Sequence, residues 1–122
     1  MAETRRYQVN GMAAVLYVKD MPTTLAYYRD VLGFSVSFTW QDPPIYVCLC
    51  LGDAAIHLNI HAPLGRSIVC IFCTGVDALH DEMAARGANI TRPLTNEPYG
   101  MREFEVTDPD QHVLVFGQAS KS

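Results

Sequence analysis

Long apolar runs, a basic charge balance and a glycine-rich phosphate loop are all missing from this sequence, and each absence removes a class of function. No stretch approaches the roughly 18 apolar residues of a membrane-spanning helix. The amino-terminal MAETRRYQVNGM carries two arginines, but no apolar segment of signal-peptide length follows them. The chain therefore reads as cytoplasmic and without a membrane partner. Its 9 Lys and Arg stand against 13 Asp and Glu, for a net charge of −4. That balance argues against nucleic acid, which asks for a basic face, and is compatible with a cationic small molecule. Ser35, Ser37 and Ser67 have no adjacent His-acid pair, so no nucleophile constellation is present. The 4 cysteines, Cys48, Cys50, Cys70 and Cys73, stand inside the apolar runs YVCLCL and SIVCIFC. Free cysteine packs there as a small hydrophobe, and the spacing is not that of a four-cysteine metal site.

What is present is an ordinary globular composition, 49% hydrophobic and 18% charged over 122 residues, read as one domain spanning 1–122. Ala13–Asp20 (AAVLYVKD) reads as a strand. MPTTLAYYRDVLGF follows as a helix with Pro22 near its start and Gly33 past its end, its buried face carried by Leu25, Tyr28, Val31 and Leu32. FSVSFTW alternates as a strand, Phe34, Val36, Phe38 and Trp40 against Ser35, Ser37 and Thr39. IYVCLCL and AAIHLNIH are two strands joined by Gly52-Asp53, a hairpin signal. The same order then recurs: SIVCIFCT as a strand, VDALHDEMAARG as a helix, ANIT as a short strand, then MREFEVTD and HVLVFGQ around the turn DPDQ. Asp20 to Gly33 and Thr74 to Gly87 are equally spaced. A period of about 55 residues indicates a duplicated βαβββ unit. The fold class is therefore α+β, with module one over about 11–61 and module two over about 67–118, each a curved mixed sheet with its helix on one side. The other side of each sheet is left as a concave wall on which a small molecule can bind.

VKDMPTTLAYYRDVLGF and EPYGMREFEVTDPDQHVLVFGQ, far apart and in this order, resemble two signatures of the vicinal oxygen chelate (glyoxalase/bleomycin resistance/dioxygenase) superfamily. Within it the bleomycin resistance proteins are the most similar branch, and the resemblance runs from about Ala13 to Gln118. Two departures stand out: Gln111, where the family turn has Gly, and Tyr99, where drug-binding members carry Trp. The resemblance implies a homodimer with pockets built from both chains. In metal-dependent members such as glyoxalase I, the first and last strands of each half supply the ligands. The matching positions here are Ala13, His57, Ile68 (or Ser67 by a one-residue shift) and Val115. Only His57 has a lone pair suited to an ion, and a site needs at least three protein ligands. The resemblance thus implies a chain that has lost the family metal and takes no cofactor: a binding protein of the antibiotic-sequestering type rather than an enzyme. The alternative is a metal-dependent glyoxalase, dioxygenase or thiol transferase with a displaced site of His57, His61 and Glu103. For that alternative His57, Asn59 and His61 are read as alternating along one strand and sharing a face.

The ligand-binding residues expected from the sequence are Phe38, Trp40, Tyr46, Cys48, His57, Asn59, Tyr99 and Glu103. His57 and Asn59 turn away from the helix if Ile56, Leu58 and Ile60 turn toward it, and Tyr46 and Cys48 line the next strand. Phe38, Trp40 and Tyr99 offer flat surfaces for a planar or cationic ligand. Their other reading, as core aromatics, stays open. Glu103 and Glu105 flank Phe104, so either faces the cleft and attracts a base or is simply solvated. His61 is read as a solvated strand end, His80 as a surface helix residue and His112 as a turn residue. A third reading makes His57 the general base of a metal-free enzyme.

Overall fold

The computed structural model describes residues 6–120. Arg5, and with it part of the amino-terminal reading, lies outside the described residues, as do the ends of the 1–122 domain.

Alternating apolar residues in the first half produce β1 (Ala14–Tyr17), β2 (Ser35–Trp40), β3 (Tyr46–Leu51) and β4 (Ala54–Asn59), hydrogen-bonded in the order β1-β4-β3-β2. The second half repeats the pattern with β5 (Ile68–Phe72), β6 (Ile90–Asn96), β7 (Met101–Thr107) and β8 (Val113–Ala119), in the order β5-β8-β7-β6. In each sheet the first and last strands run parallel and the other pairs antiparallel. Two mixed sheets with one helical crossover each are the duplicated βαβββ arrangement.

The first crossover is α1 (Met21–Ala26), begun by Pro22 in its first turn, where a missing N–H costs nothing. It widens over Tyr27–Val31 into a π turn closed by the Leu32 N–H to the Tyr27 carbonyl. Gly33 then reverses the chain at φ 87°, and a Cβ there would sit 3.1 Å from the Arg86 guanidinium, so the position excludes larger residues twice over. The second crossover is α2 (Val76–Ala85). Gly52-Asp53 is the whole loop between β3 and β4, as expected from the sequence.

The core lies on the helix-bearing faces. Leu16, Val47, Leu49, Ile56 and Leu58 from the first sheet meet Phe104, Val106, Leu114 and Phe116 from the second in one cluster, with Tyr28, Leu32 and Met83 supplied by the helices. A polar latch crosses between the modules. The Tyr28 hydroxyl donates to Asp108 Oδ2 at 2.7 Å, and Thr24 donates to Asp110 at 2.6 Å. His112, fully buried, accepts the Ser67 N–H at Nδ1 and bonds the Tyr17 carbonyl through Nε2. His112 is thus a structural group, not a turn residue in solvent. Because the modules share a core on their helix sides, their open walls lie on the far sides of it.

Three expectations change. The strand in ANIT is longer, reaching Asn96 with register shifts on both sides of Arg92. It tolerates Pro93 because it is an edge strand with a free side. β4 ends at Asn59, so His61 sits in an exposed turn and shares no strand face with His57. Finally, β2 does not alternate strictly. Val36 pairs with buried Leu49, whereas Phe38 pairs with Cys48, so a bulge between them flips the pattern. Phe34 enters the core, while Phe38 and Trp40 turn to the open wall.

Candidate functional site

The open wall of the first sheet gathers all six of its sequence-derived site residues in two rows. Residues paired across strands share a face. Phe38, Cys48 and His57 form one row with Val15 at its end, and Trp40, Tyr46 and Asn59 form the next with Tyr17. Phe38 and Trp40 are 53% and 54% exposed, which excludes the core reading for both. The Tyr46 hydroxyl and His57 Nδ1 are hydrogen-bonded at 2.8 Å, with the rings edge to face. Asn59 is less available than its facing suggests, because its Oδ1 accepts the His61 N–H at 2.9 Å and closes the turn. The wall is thus aromatic and marked by one Tyr–His pair.

The open wall of the second sheet is different in character. Glu103 lies on β7, only 9% exposed, and accepts a hydrogen bond from the Tyr99 hydroxyl. Instead of standing solvated, it is enclosed by its pairing opposite Gly117 and by the Tyr99 turn. Arg92 on β6 pairs with Glu97 and, at 3.6 Å, with Glu105. The hydrogen bond to Glu103 pushes the Tyr99 phenol up to about 12, with desolvation and the nearby carboxylate charges adding to it. A cavity of about 350 Å³ opens over this wall between Phe72, Arg92, Tyr99, Glu103 and Val115. Cys70, expected inside the core, is exposed and borders the same cavity. Sequence reasoning missed Phe72, Arg92 and Gly117. The period-two pattern of SIVCIFCT placed Phe72 with Cys70, but only the strand register sets it beside Gly117 and Glu103.

The positions at which the family binds metal can now be placed. Ile68 pairs with Val113 and so shares the open wall with Cys70 and Val115. His57 faces the first open wall, and Ala13 lies just ahead of β1. Three of the four positions carry hydrocarbon side chains, so the residues present do not fit a divalent ion. The displaced trio does not form either: among the described residues no three His, Cys, Asp or Glu side chains converge on a common point. Also among the described residues, no helix is long and apolar enough to cross a membrane.

A larger cavity of about 870 Å³ is lined by Ala14, the Gly52-Asp53 turn, Val69, Ile71 and Leu79, and also by Cys70 and Phe72 of β5. It contains none of the eight sequence-derived site residues, and its mostly apolar lining carries Asp53, Thr74 and Glu82.

The family model for the Glyoxalase/Bleomycin resistance protein/Dioxygenase superfamily matches residues 11–116. No curated protein matches in sequence. Among solved structures, TioX from Micromonospora sp. ML1 is 20% identical with a TM-score of 0.82, covering 91% of this chain and 99% of that one. A glyoxalase-related enzyme from Clostridium phytofermentans is 26% identical with a TM-score of 0.75, covering 95% and 99%. A lactoylglutathione lyase from Agrobacterium tumefaciens is 20% identical with a TM-score of 0.72, covering 93% and 96%.

Proposed function

The chain belongs to the Glyoxalase/Bleomycin resistance protein/Dioxygenase superfamily, and on that premise we propose that it binds a small organic molecule on its open walls without a metal ion. The reading is of a sequestering protein of the bleomycin-resistance type. One observation carries it: Ala13, Ile68 and Val115 stand where ion ligands would be needed, beside a single histidine already bonded to Tyr46. What remains on the walls suits an organic ligand, namely aromatic faces at Phe38, Trp40 and Tyr99 and a carboxylate at Glu103. The exposed Val15, Phe38, Ile68 and Phe72 further support a homodimer that covers one wall with another.

The test has two arms. The chain has a single tryptophan, so saturable quenching of Trp40 fluorescence by a bleomycin-type drug or another member of a broad panel supports binding, and silence across the panel refutes it. Elemental analysis after incubation with Ni, Zn, Mn and Fe is expected to find far less than one equivalent per chain. A full equivalent that disappears in His57→Ala would replace this reading with the metal-dependent one, which the likeness to a lactoylglutathione lyase keeps in view.

A further inference from the structure

The second open wall holds a carboxylate that nothing else in the described chain neutralises. Glu103 is nine-tenths buried, and its Oε1 accepts the Tyr99 hydroxyl. Its Oε2 receives no donor among the described residues. No fully enclosed side-chain oxygen or nitrogen there lacks a partner, so Oε2 must open onto the cavity that Glu103 lines. The nearby bases are committed elsewhere. Arg92 is held by Glu97 and Glu105, and Arg102 points to the opposite face, where it bonds both oxygens of Asp77. A desolvated carboxylate without a cation is costly unless something brings one.

A second observation gives the space. Gly117 on β8 pairs with Phe72 on one side and Glu103 on the other. A Cβ at Gly117 would stand 3.2 Å from Glu103 Cβ and from Met101 Cε, and 3.4 Å from Glu103 Oε2. The glycine therefore leaves room for Glu103 and Met101 to fold closely over β8, and the cavity opens beside them as a slot. Two strand spacings, about 10 Å, separate the backbones that carry the Phe72 ring and the carboxylate. The slot has an aromatic at one end and, at the other, a carboxylate bonded to the Tyr99 hydroxyl.

We propose that this slot takes the protonated nitrogen of an amine, amidine or guanidine carried on a flat apolar body. Its N–H groups donate to Glu103 Oε2, and the body lies in the cavity between Phe72 and Tyr99. Tyr99 acts as a positioning residue, holding Oε1 so that Oε2 turns outward. The inference rests on the small-molecule reading above and specifies the class of molecule.

Naphthalene-2-carboxamidine and its neutral isostere naphthalene-2-carboxamide test it, titrated into the full chain by calorimetry with the Gly117 amide followed by NMR. The amidine is expected to bind at least about tenfold more tightly, the size of a hydrogen bond to a charged group. Glu103→Gln should erase that preference. Glu103→Asp, which keeps the charge but withdraws it, should retain part of the preference and serves if the Gln variant does not fold. Tyr99→Phe should reduce the preference several-fold without abolishing it. Equal binding of the two probes, or a preference that survives in Glu103→Gln, overturns the cation site. If neither probe binds while another compound quenches Trp40, this inference fails and the broader reading stands. If nothing binds by either method, both fail.

Discussion

Tyr28→Phe removes one oxygen from the middle of the inter-module latch and leaves its ring in place. That ring is fully buried and packs edge to face on Phe34, with centroids 5.5 Å apart, so phenylalanine fills the same space. The lost hydroxyl is the sole donor to Asp108 Oδ2 among the described residues; Oδ1 keeps the Asp110 and His112 N–H groups at 2.8 and 3.0 Å. Asp108 is 2% exposed, so water has little room to replace the hydroxyl. A hydrogen bond to a buried charged group contributes about 1.5–3 kcal/mol. A loss of about 2 kcal/mol would lower Tm by roughly 8 °C for a chain of this length, at about 2.1 cal/mol/K per residue. The pH dependence identifies the mechanism. Burial holds the Asp108 carboxyl above the usual carboxylate range, while the Tyr28 hydroxyl and backbone N–H groups pull it back down. With the folded value above the unfolded one, the folded protein binds the proton more tightly. Stability from this group is therefore complete below the ordinary carboxylate range and is lost as pH rises through the folded value. Removing the hydroxyl, which favours the charged form, raises that value further. Urea unfolding at fixed protein concentration should find the Tyr28→Phe deficit largest near pH 7.5 and much smaller near pH 4. An equal deficit at both pH values would mean that the hydroxyl does not act through the carboxylate, and the latch account would be wrong.

Other consequences are sharper in form. Spectrophotometric titration should find a phenol near pH 12 that disappears in Tyr99→Phe and moves down toward 10 in Glu103→Gln, because the Glu103 hydrogen bond is the chief cause of its elevation. Gly117→Ala forces a methyl against Glu103 and Met101 at 3.2 Å. It should cost about 1–3 kcal/mol by denaturant unfolding and close the slot to the naphthyl probes. His112→Ala leaves the Ser67 N–H and the Tyr17 carbonyl without a partner in a closed space, since a backbone N–H only donates and a carbonyl only accepts. Thermal unfolding should register about 3 kcal/mol of lost stability.

The fold was legible in the sequence because its signals are local: period-two runs, a two-residue hairpin loop at Gly52-Asp53, and equal helix spans in both halves. The first wall was legible for the same reason, as His57, Tyr46 and Cys48 follow from alternation and hairpin register. Phe38 and Trp40 were not decidable from pattern alone. Counting from Phe34 puts them in the core, and only the bulge after Val36 reverses their side. The burial of Glu103 was illegible because it depends on Gly117, which is distant in sequence, and on a turn that brings Tyr99 back over β7. His112 and Asp108 read as turn chemistry, which they are, yet their partners Tyr17 and Tyr28 belong to the other module. Gln111 is the instructive departure. It adopts φ 72°, the conformation for which the family's glycine is suited, so the backbone kept its shape after the side chain changed.

The two walls are unlike, and that difference makes the proposed dimer testable. One wall is aromatic with a Tyr46–His57 pair; the other is acidic at Glu103. Within one chain they lie on opposite sides of a shared core. A ligand gripped by both must therefore sit between two copies, the first wall of one protomer against the second wall of its partner. Trp40→Ala and Glu103→Gln would then each damage every pocket in their own homodimers. In a mixed dimer, however, both lesions fall in one pocket and the other is intact. Unfolding and refolding the two variants together at equal concentration should restore about a quarter of the wild-type sites, since half the dimers are mixed and each regains one of two pockets. Stoichiometry by calorimetry with a compound that quenches Trp40 reads this directly. If the mixture binds no better than the separate variants although mixed dimers are present, each pocket belongs to a single chain, and the pairing of unlike walls is wrong.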